Sequence, residues 1–263
     1  MSAAELPPPD PSNSVEGRVV IVTGAGGGIG RAYAKHFAVH GAIPVIAEIN
    51  GQNASSVAAE IKADGGQALA HQTNVTSEES VAEMVALAME EFGRIDILVN
   101  NAAIFAALNR APFEDLPRDD WNRMLDVNVT GSWICAKTVI PHMRAGGYGR
   151  IINVSSSTVP TGVPFMMHYV TSKAAVIGMT RCMATELGAD GITANAILPG
   201  LTETEVPYNG RTDAGIQASL NAQKIKRVET ADDLVGTVLF LASPAAGFMT
   251  GQCLLVDGGT AFI

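Results

Sequence analysis

A doubly wound α/β fold with a seven-stranded parallel sheet is the fold class that this sequence predicts, on three observations. Short β-branched apolar runs recur at 19–22, 43–47, 68–72, 95–99, 150–154, 193–198 and 253–256. Several are apolar without a break, as expected of strands covered on both faces. Longer helix-like segments separate them, and strand alternating with helix implies βαβ units with right-handed crossovers and helices on both faces of the sheet. The chain has 263 residues, enough for a substantial core, and shows neither an internal repeat nor a linker, so it reads as one domain.

Residues 1–16, "MSAAELPPPDPSNSVE", are Pro/Ser-rich and read as a flexible tail before a domain over 17–263. The first run leads into the glycine turn "TGAGGGIG" and a helix over 30–40 that stops at Gly41, a residue suited to the left-handed position past a helix end. One glycine of such a turn permits a tight bend, one lets backbone N–H groups approach a pyrophosphate, and one allows close helix–sheet packing. The spacing of Gly24, Gly28 and Gly30 is GxxxGxG. The second run ends at Glu48, whose carboxylate suits both ribose hydroxyls and repels a 2′-phosphate. No Arg or Lys lies in the turn before Ile29, which favours NAD over NADP. "TSEE" at 76–79 predicts a capped start for a helix over 77–92 that ends at Gly93. Residues 201–230 interrupt the alternation; their Gly, Pro and polar content suits a mobile loop with a short helix.

Composition excludes several classes of function. Hydrophobic residues make up 47% and charged residues 16%, the balance of a compact protein. A net charge of −9 with no Lys/Arg cluster argues against nucleic acid as a partner. No apolar run is long enough for a membrane span, and the first residues lack the basic start and apolar middle of a signal peptide. Cys135, Cys182 and Cys253 are far apart and read as small buried hydrophobes in a reducing, cytoplasmic compartment. His36 and His40 stand one helical turn apart without a third ligand, and read as solvated surface rather than a metal site.

Seven motifs in order, "TGAGGGIG" (23–30), "NNAA" (100–103), "NVTG" (128–131), "NVSSS" (153–157), "YVTSK" (169–173), "LPGLTET" (198–204) and "TGQCLLVDGG" (250–259), resemble the short-chain dehydrogenase/reductase family. The resemblance covers the chain from about Val19 to its end and implies a single-domain Rossmann fold. It also implies a catalytic set of Asn128, Ser156, Tyr169 and Lys173, with Ser156 taken from three adjacent serines because the family's serine usually lies 13 positions before the tyrosine. The cofactor site it implies comprises Gly24, Gly28, Ile29, Gly30, Glu48, Asn74, Val75, Asn101, Ala102, Tyr169, Lys173, Pro199, Thr202 and Thr204, with Thr202 acting mainly through backbone. Asn128 would hold a water in the proton path, and residues 201–230 would be the substrate lid. The final segment implies a homotetramer or homodimer built on paired helices that include the one bearing Tyr169. Two positions depart from the family pattern. Ala103 replaces a glycine, which costs about 1 kcal/mol if that position needs a positive φ. Asn74 replaces an aspartate.

The tyrosine and lysine carry the chemistry. Oxidising a secondary alcohol needs a base for its proton, and a free phenol titrates near ~10. Lowering it to about 7 takes roughly 4 kcal/mol of phenolate stabilisation. Helical i,i+4 spacing puts the Lys173 ammonium on the same face as Tyr169 to supply part of it. Ser156 would hydrogen-bond the substrate oxygen. "VPFMMH" before Tyr169, together with the lid, suggests an apolar cyclic or aryl secondary alcohol or ketone as the small-molecule partner. His168, at a helix start, reads as solvent-facing, and Cys182 as core. Two further readings stand beside this one: a 3-oxoacyl-thioester reductase of the same family, for which Lys224, Lys226 and Arg227 leave a carrier surface open, and a non-catalytic NAD-binding regulator.

Overall fold

The computed structural model of the protein describes residues 14–208 and 212–263. Most of the tail predicted for 1–16 lies outside the described residues. Its last part belongs to the domain: Val15 is buried in the core, and the Gly17 N–H donates to the Gly41 carbonyl.

The strands are β1 (Val19–Thr23), β2 (Ile43–Glu48), β3 (Leu69–Gln72), β4 (Ile97–Asn100), β5 (Gly149–Val154), β6 (Ile192–Pro199), β7 (Thr202–Glu203), β8 (Glu229–Thr230) and β9 (Cys253–Val256). Seven of them form one parallel sheet in the order β3-β2-β1-β4-β5-β6-β9, and β7 pairs with β8 in a separate two-stranded piece. The helices are α1 (Gly28–Val39), α2 (Gly51–Ala63), α3 (Glu78–Phe92), α4 (Arg118–Leu125), α5 (Gly131–Gly146), α6 (Thr158–Thr161), α7 (Met167–Leu187), α8 (Asp213–Ala222) and α9 (Ala231–Ala242).

The two-residue period of a strand explains the layers. In β1, Val20 and Val22 join one core layer with Tyr33 and Phe37 of α1, Val57 and Ile61 of α2, and Leu234 and Val238 of α9. Val19 and Ile21 point the other way, into a layer with Met84 and Val85 of α3, Val139 and Met143 of α5, and Leu187 of α7. Both faces are covered, which is why the runs are apolar throughout. Helix ends follow local chemistry. The Ser77 hydroxyl accepts from the Ser80 N–H at the start of α3, and Gly93 closes that helix at φ 70°.

Strand order reverses between β1 and β4, the switch point at which ligands bind an open α/β sheet. All the loops that carry the candidate site leave the C-terminal ends of these parallel strands. Between α4 and α5 the helix widens over Asp126–Thr130 into a π turn, a feature often found at functional sites, and Asn128 lies in it.

Candidate active site

A cavity of about 1260 Å³ runs across the switch point, lined by the glycine turn, the ends of β2, β4, β5 and β6, the start of α7 and residues within 201–208 and 212–220. Every candidate catalytic and cofactor residue lines it except Asn128, which is buried behind its wall; of "VPFMMH", Val163 and Met166 line it and Phe165 and Met167 do not.

The cofactor side is made of backbone. Gly24 has φ 64°, and a side chain there would come within 2.9 Å of the Ala102 Cα. A methyl group on Gly30 would collide with the Gly24 carbonyl oxygen and the Asn101 side chain. The Asn101 amide donates to the carbonyls of Thr23 (2.9 Å) and Gly24 (3.2 Å), while the Thr23 hydroxyl accepts from the N–H groups of Asn101 and Ala102 at 3.0 Å each. Asn101 therefore holds the turn to the end of β4. Ala103 adds no strain: among the described residues the positive-φ position outside glycine is Phe165, at 62°.

Glu48 accepts from the Gly26 N–H and the Asn50 N–H, at 3.1 Å each, and so sits beside the turn at the end of β2. Asn74 Oδ1 accepts from the Thr76 N–H (3.1 Å) and hydroxyl (2.8 Å), which leaves the side-chain NH2 as the group for an adenine. Glu205, which the sequence reading missed, shows what the turn can bind. Its Oε1 accepts from the Gly28 N–H at 3.1 Å and lies 3.7 Å from Arg31 Nη1. An anion thus rests on the first turn of α1, where the partial positive charge of the helix and an unpaired N–H favour a negative group. The residues present fit the pyrophosphate of a dinucleotide.

On the opposite side, Tyr169 and Lys173 are buried one turn apart in α7. Burial pushes the Tyr169 phenol up to about 12, and the hydrogen bond with Ser156 pulls back against it. Burial draws Lys173 down to about 8. Its Nζ donates to the Val154 carbonyl (2.8 Å) and stands 5.7 Å from the centre of the Tyr169 ring. The pair is thus set as a neutral acid beside an ammonium. Reaching a pKa near 7 from here demands about 7 kcal/mol rather than roughly 4.

The three serines separate by their bonds. Ser155 donates to the Lys173 carbonyl (2.8 Å), and the Ser157 N–H donates to the Pro199 carbonyl (2.9 Å). The Ser156 oxygen accepts from the Thr158 N–H (3.1 Å) and the Thr158 hydroxyl (2.9 Å), so its own hydrogen is free for the phenol or a substrate oxygen. Thr158 is a second residue that the sequence reading missed; the only signal was a hydroxyl two places after a serine, an ST-turn spacing.

Asn128 is tied to its neighbours through both side-chain atoms. Its Oδ1 accepts from the Ile104 N–H (2.9 Å), its Nδ2 donates to Ser172 Oγ (2.9 Å), and Ser172 donates to the Tyr169 carbonyl (2.7 Å). The side chain is a strut between the loop after β4 and α7. The Thr202 hydroxyl donates to Glu229 (2.6 Å). The Thr204 hydroxyl accepts from the Val206 N–H (3.3 Å). Glu229 itself is buried; one carboxylate oxygen accepts from Thr202 and the Gly200 N–H, the other has no partner among the described residues, and burial raises its pKa to about 7.

Two minor expectations are corrected. His168 is buried, with Nδ1 unpartnered, and burial lowers its pKa. Its neighbour Met166 packs on Tyr169, which draws the start of α7 inward. Cys182 is exposed rather than in the core. Among the described residues no cluster of His, Cys, Asp and Glu could hold a metal, and no helix is long and apolar enough to cross a membrane.

A family model described as enoyl-(acyl carrier protein) reductase matches residues 24–261. The chain is 39% identical over 243 residues to a cis-4-hydroxycyclohexanecarboxylate dehydrogenase of Sinomonas cyclohexanicum, covering 92% of this chain and 96% of that protein. It is 38% identical over 246 residues to a 3-oxoacyl-[acyl-carrier-protein] reductase of Synechocystis, covering 92% and 96%. A 7α-hydroxysteroid dehydrogenase solved with NADH and 7-oxo glycochenodeoxycholic acid superposes with a TM-score of 0.89 at 36% identity, over 94% of this chain and 96% of that one.

Proposed function

The chain belongs to the short-chain dehydrogenase/reductase family, enzymes that bind a nicotinamide cofactor and act on CH–OH groups, and on that premise we propose that it interconverts an apolar cyclic or aryl secondary alcohol and its ketone with NAD(H). The observation that carries the reading is the buried trio of Ser156, Tyr169 and Lys173 at the meeting of the cofactor turn and the apolar wall.

The cofactor, when bound, supplies or accepts the hydride. In reduction, the neutral Tyr169 phenol donates its proton to the substrate oxygen as that oxygen gains charge. The Ser156 hydroxyl, held by Thr158, donates a hydrogen bond to the same oxygen. Lys173 stabilises the phenolate that is left, and in oxidation the same groups run in reverse. Asn128 is a positioning residue that fixes α7 against the loop after β4. Gly24, Gly28, Ile29, Gly30, Asn74, Val75, Asn101, Ala102, Pro199, Thr202 and Thr204 would hold the dinucleotide, and Glu48 its adenosine ribose. With Glu48 bonded to the turn, and Arg31 paired to Glu60, neither residue offers a free cation to a 2′-phosphate, which supports NAD over NADP.

The apolar wall supports a ring. Phe105 packs on Tyr169 (centroids 5.3 Å apart) and on Tyr208 (5.1 Å), with Met166 and Val163 beside them. Relatives named for cyclohexane and steroid substrates point the same way. The thioester alternative is not favoured by the lid: Lys226 caps the last carbonyls of α8, and Arg227 is paired with Asp233. Exposed Phe248 and Phe262 support the proposed homotetramer or homodimer, and unpaired cysteines support a cytoplasmic setting.

Nicotinamide absorbance followed with NADH and NADPH, over a panel of ring and acyclic ketones, tests the reading. Preference for NADH and ring ketones is expected, and Glu48→Ala should erode the first. NADPH preference would sink the cofactor assignment, and no turnover with any ketone would leave a regulator.

A further inference from the structure

Two arginines reach the cavity from different elements. Arg110 lies on the loop after β4, five residues beyond Phe105; Arg123 lies in α4, next to Met124, which packs in the cluster around Tyr169. Both are exposed, and neither makes a hydrogen bond or ion pair among the described residues.

Arg118 and Arg181 are likewise unpaired among the described residues, but neither lines the cavity. Arg18, Arg31, Arg94, Arg144 and Arg227 each hold a carboxylate. Carboxylates are within helical reach of Arg123 as well, since Asp119, Asp120 and Asp126 stand four before, three before and three after it, the spacings at which helix side chains meet. Arg123 lines the cavity instead, while Asp120 is occupied by the Asn109 amide (3.0 Å). In a chain of net charge −9, two unpaired guanidinium groups at the same apolar cavity are a recognition feature.

We propose that Arg110 and Arg123 form an anion-reading rim which selects a secondary alcohol carrying a carboxylate remote from its reacting carbon. The apolar body of such a substrate lies along Phe105 and Met166, its oxygen meets Ser156 and Tyr169, and its carboxylate stays at the rim. The inference rests on the assignment of the alcohol to Tyr169. A planar carboxylate matches the guanidinium fork, and keeping it at the exposed rim avoids the cost of burying its charge.

Each exposed pair contributes little, about 0.2–1 kcal/mol, and is screened by salt. Two together correspond to roughly 2- to 30-fold in affinity. Calorimetric binding of cyclohexanecarboxylate and of cyclohexanecarboxamide to the protein saturated with NADH measures this without turnover. The acid should bind roughly 2- to 30-fold tighter than the amide, the advantage should shrink in 0.5 M NaCl, and it should vanish in R110Q/R123Q. Unchanged amide binding in that variant reports an intact cavity. An acid that binds no tighter than the amide, or not at all, overturns the proposal, as does a preference that survives in the double variant. A second arm follows oxidation of 4-hydroxycyclohexanecarboxylate and its methyl ester. Loss of acid preference in binding with turnover of both compounds overturns the rim alone. Acid preference in binding without turnover supports the rim and sinks the alcohol reading.

Discussion

On the cofactor side of the cavity the wall is backbone: three glycines at the end of β1, a strand-end asparagine that ties the turn to β4, and a carboxylate bonded to the turn's own N–H. On the opposite side the wall is side chain, with Phe105, Met166, Tyr208 and α8, in which no residue is buried. A wall of backbone tolerates almost no change, since a methyl group has nowhere to go. A wall of loop side chains can be rebuilt while leaving the proton chemistry of α7 in place. The contrast explains how one fold serves many alcohols.

Substitutions on the two sides should separate accordingly. Gly30→Ala should have the largest effect, because the new methyl meets backbone and Asn101. Destabilisation of about 3 kcal/mol and a tenfold or greater weakening of NADH binding are expected by thermal melt and fluorescence titration. Wild-type stability with wild-type affinity would break the contrast.

Glu229→Gln comes next, where β7 meets β8. A folded pKa of about 7, above the ordinary carboxylate value of 4.5, means that the folded state holds the proton more tightly. This contribution to stability is complete below about pH 4.5 and is lost as pH rises through 7. Denaturant melts should show wild-type stability falling over that window by up to about 3 kcal/mol, and the glutamine variant should lack the fall. Parallel curves for the two proteins would contradict the assignment.

Glu205→Gln should be the smallest change. The carboxylate is exposed and sits where a pyrophosphate is expected, so removing its charge should tighten NADH binding about two- to fivefold. Weaker binding would show that Glu205 helps hold the cofactor rather than competing with it.

What was legible in the sequence follows the same division. Gly24, Gly28 and Gly30 could be read because a tight turn and close helix packing demand glycine, and Tyr169 with Lys173 because helical spacing fixes their common face. Both demands are local along the chain. Asn128 was picked out by the "NVTG" motif, but its bonds to Ile104 and Ser172 join residues 24 and 44 positions away, which no local pattern records. Glu205 and Glu229 were unreadable for a similar reason, since their partners are at Gly28 and Gly200. His168 was misread because a polar residue at a helix start is ordinarily solvated, and here the Met166–Tyr169 cluster draws that helix start inward.

The central claim is that Tyr169 moves the proton that accompanies hydride transfer. Tyr169→Phe retains the ring packing against Phe105 and removes only the phenol oxygen. The decisive measurement is kcat for the best ring ketone with NADH, beside NADH affinity from fluorescence. A fall of about 10²- to 10⁴-fold in kcat with affinity unchanged is predicted, and a variant that keeps kcat within a few-fold of wild type would contradict it.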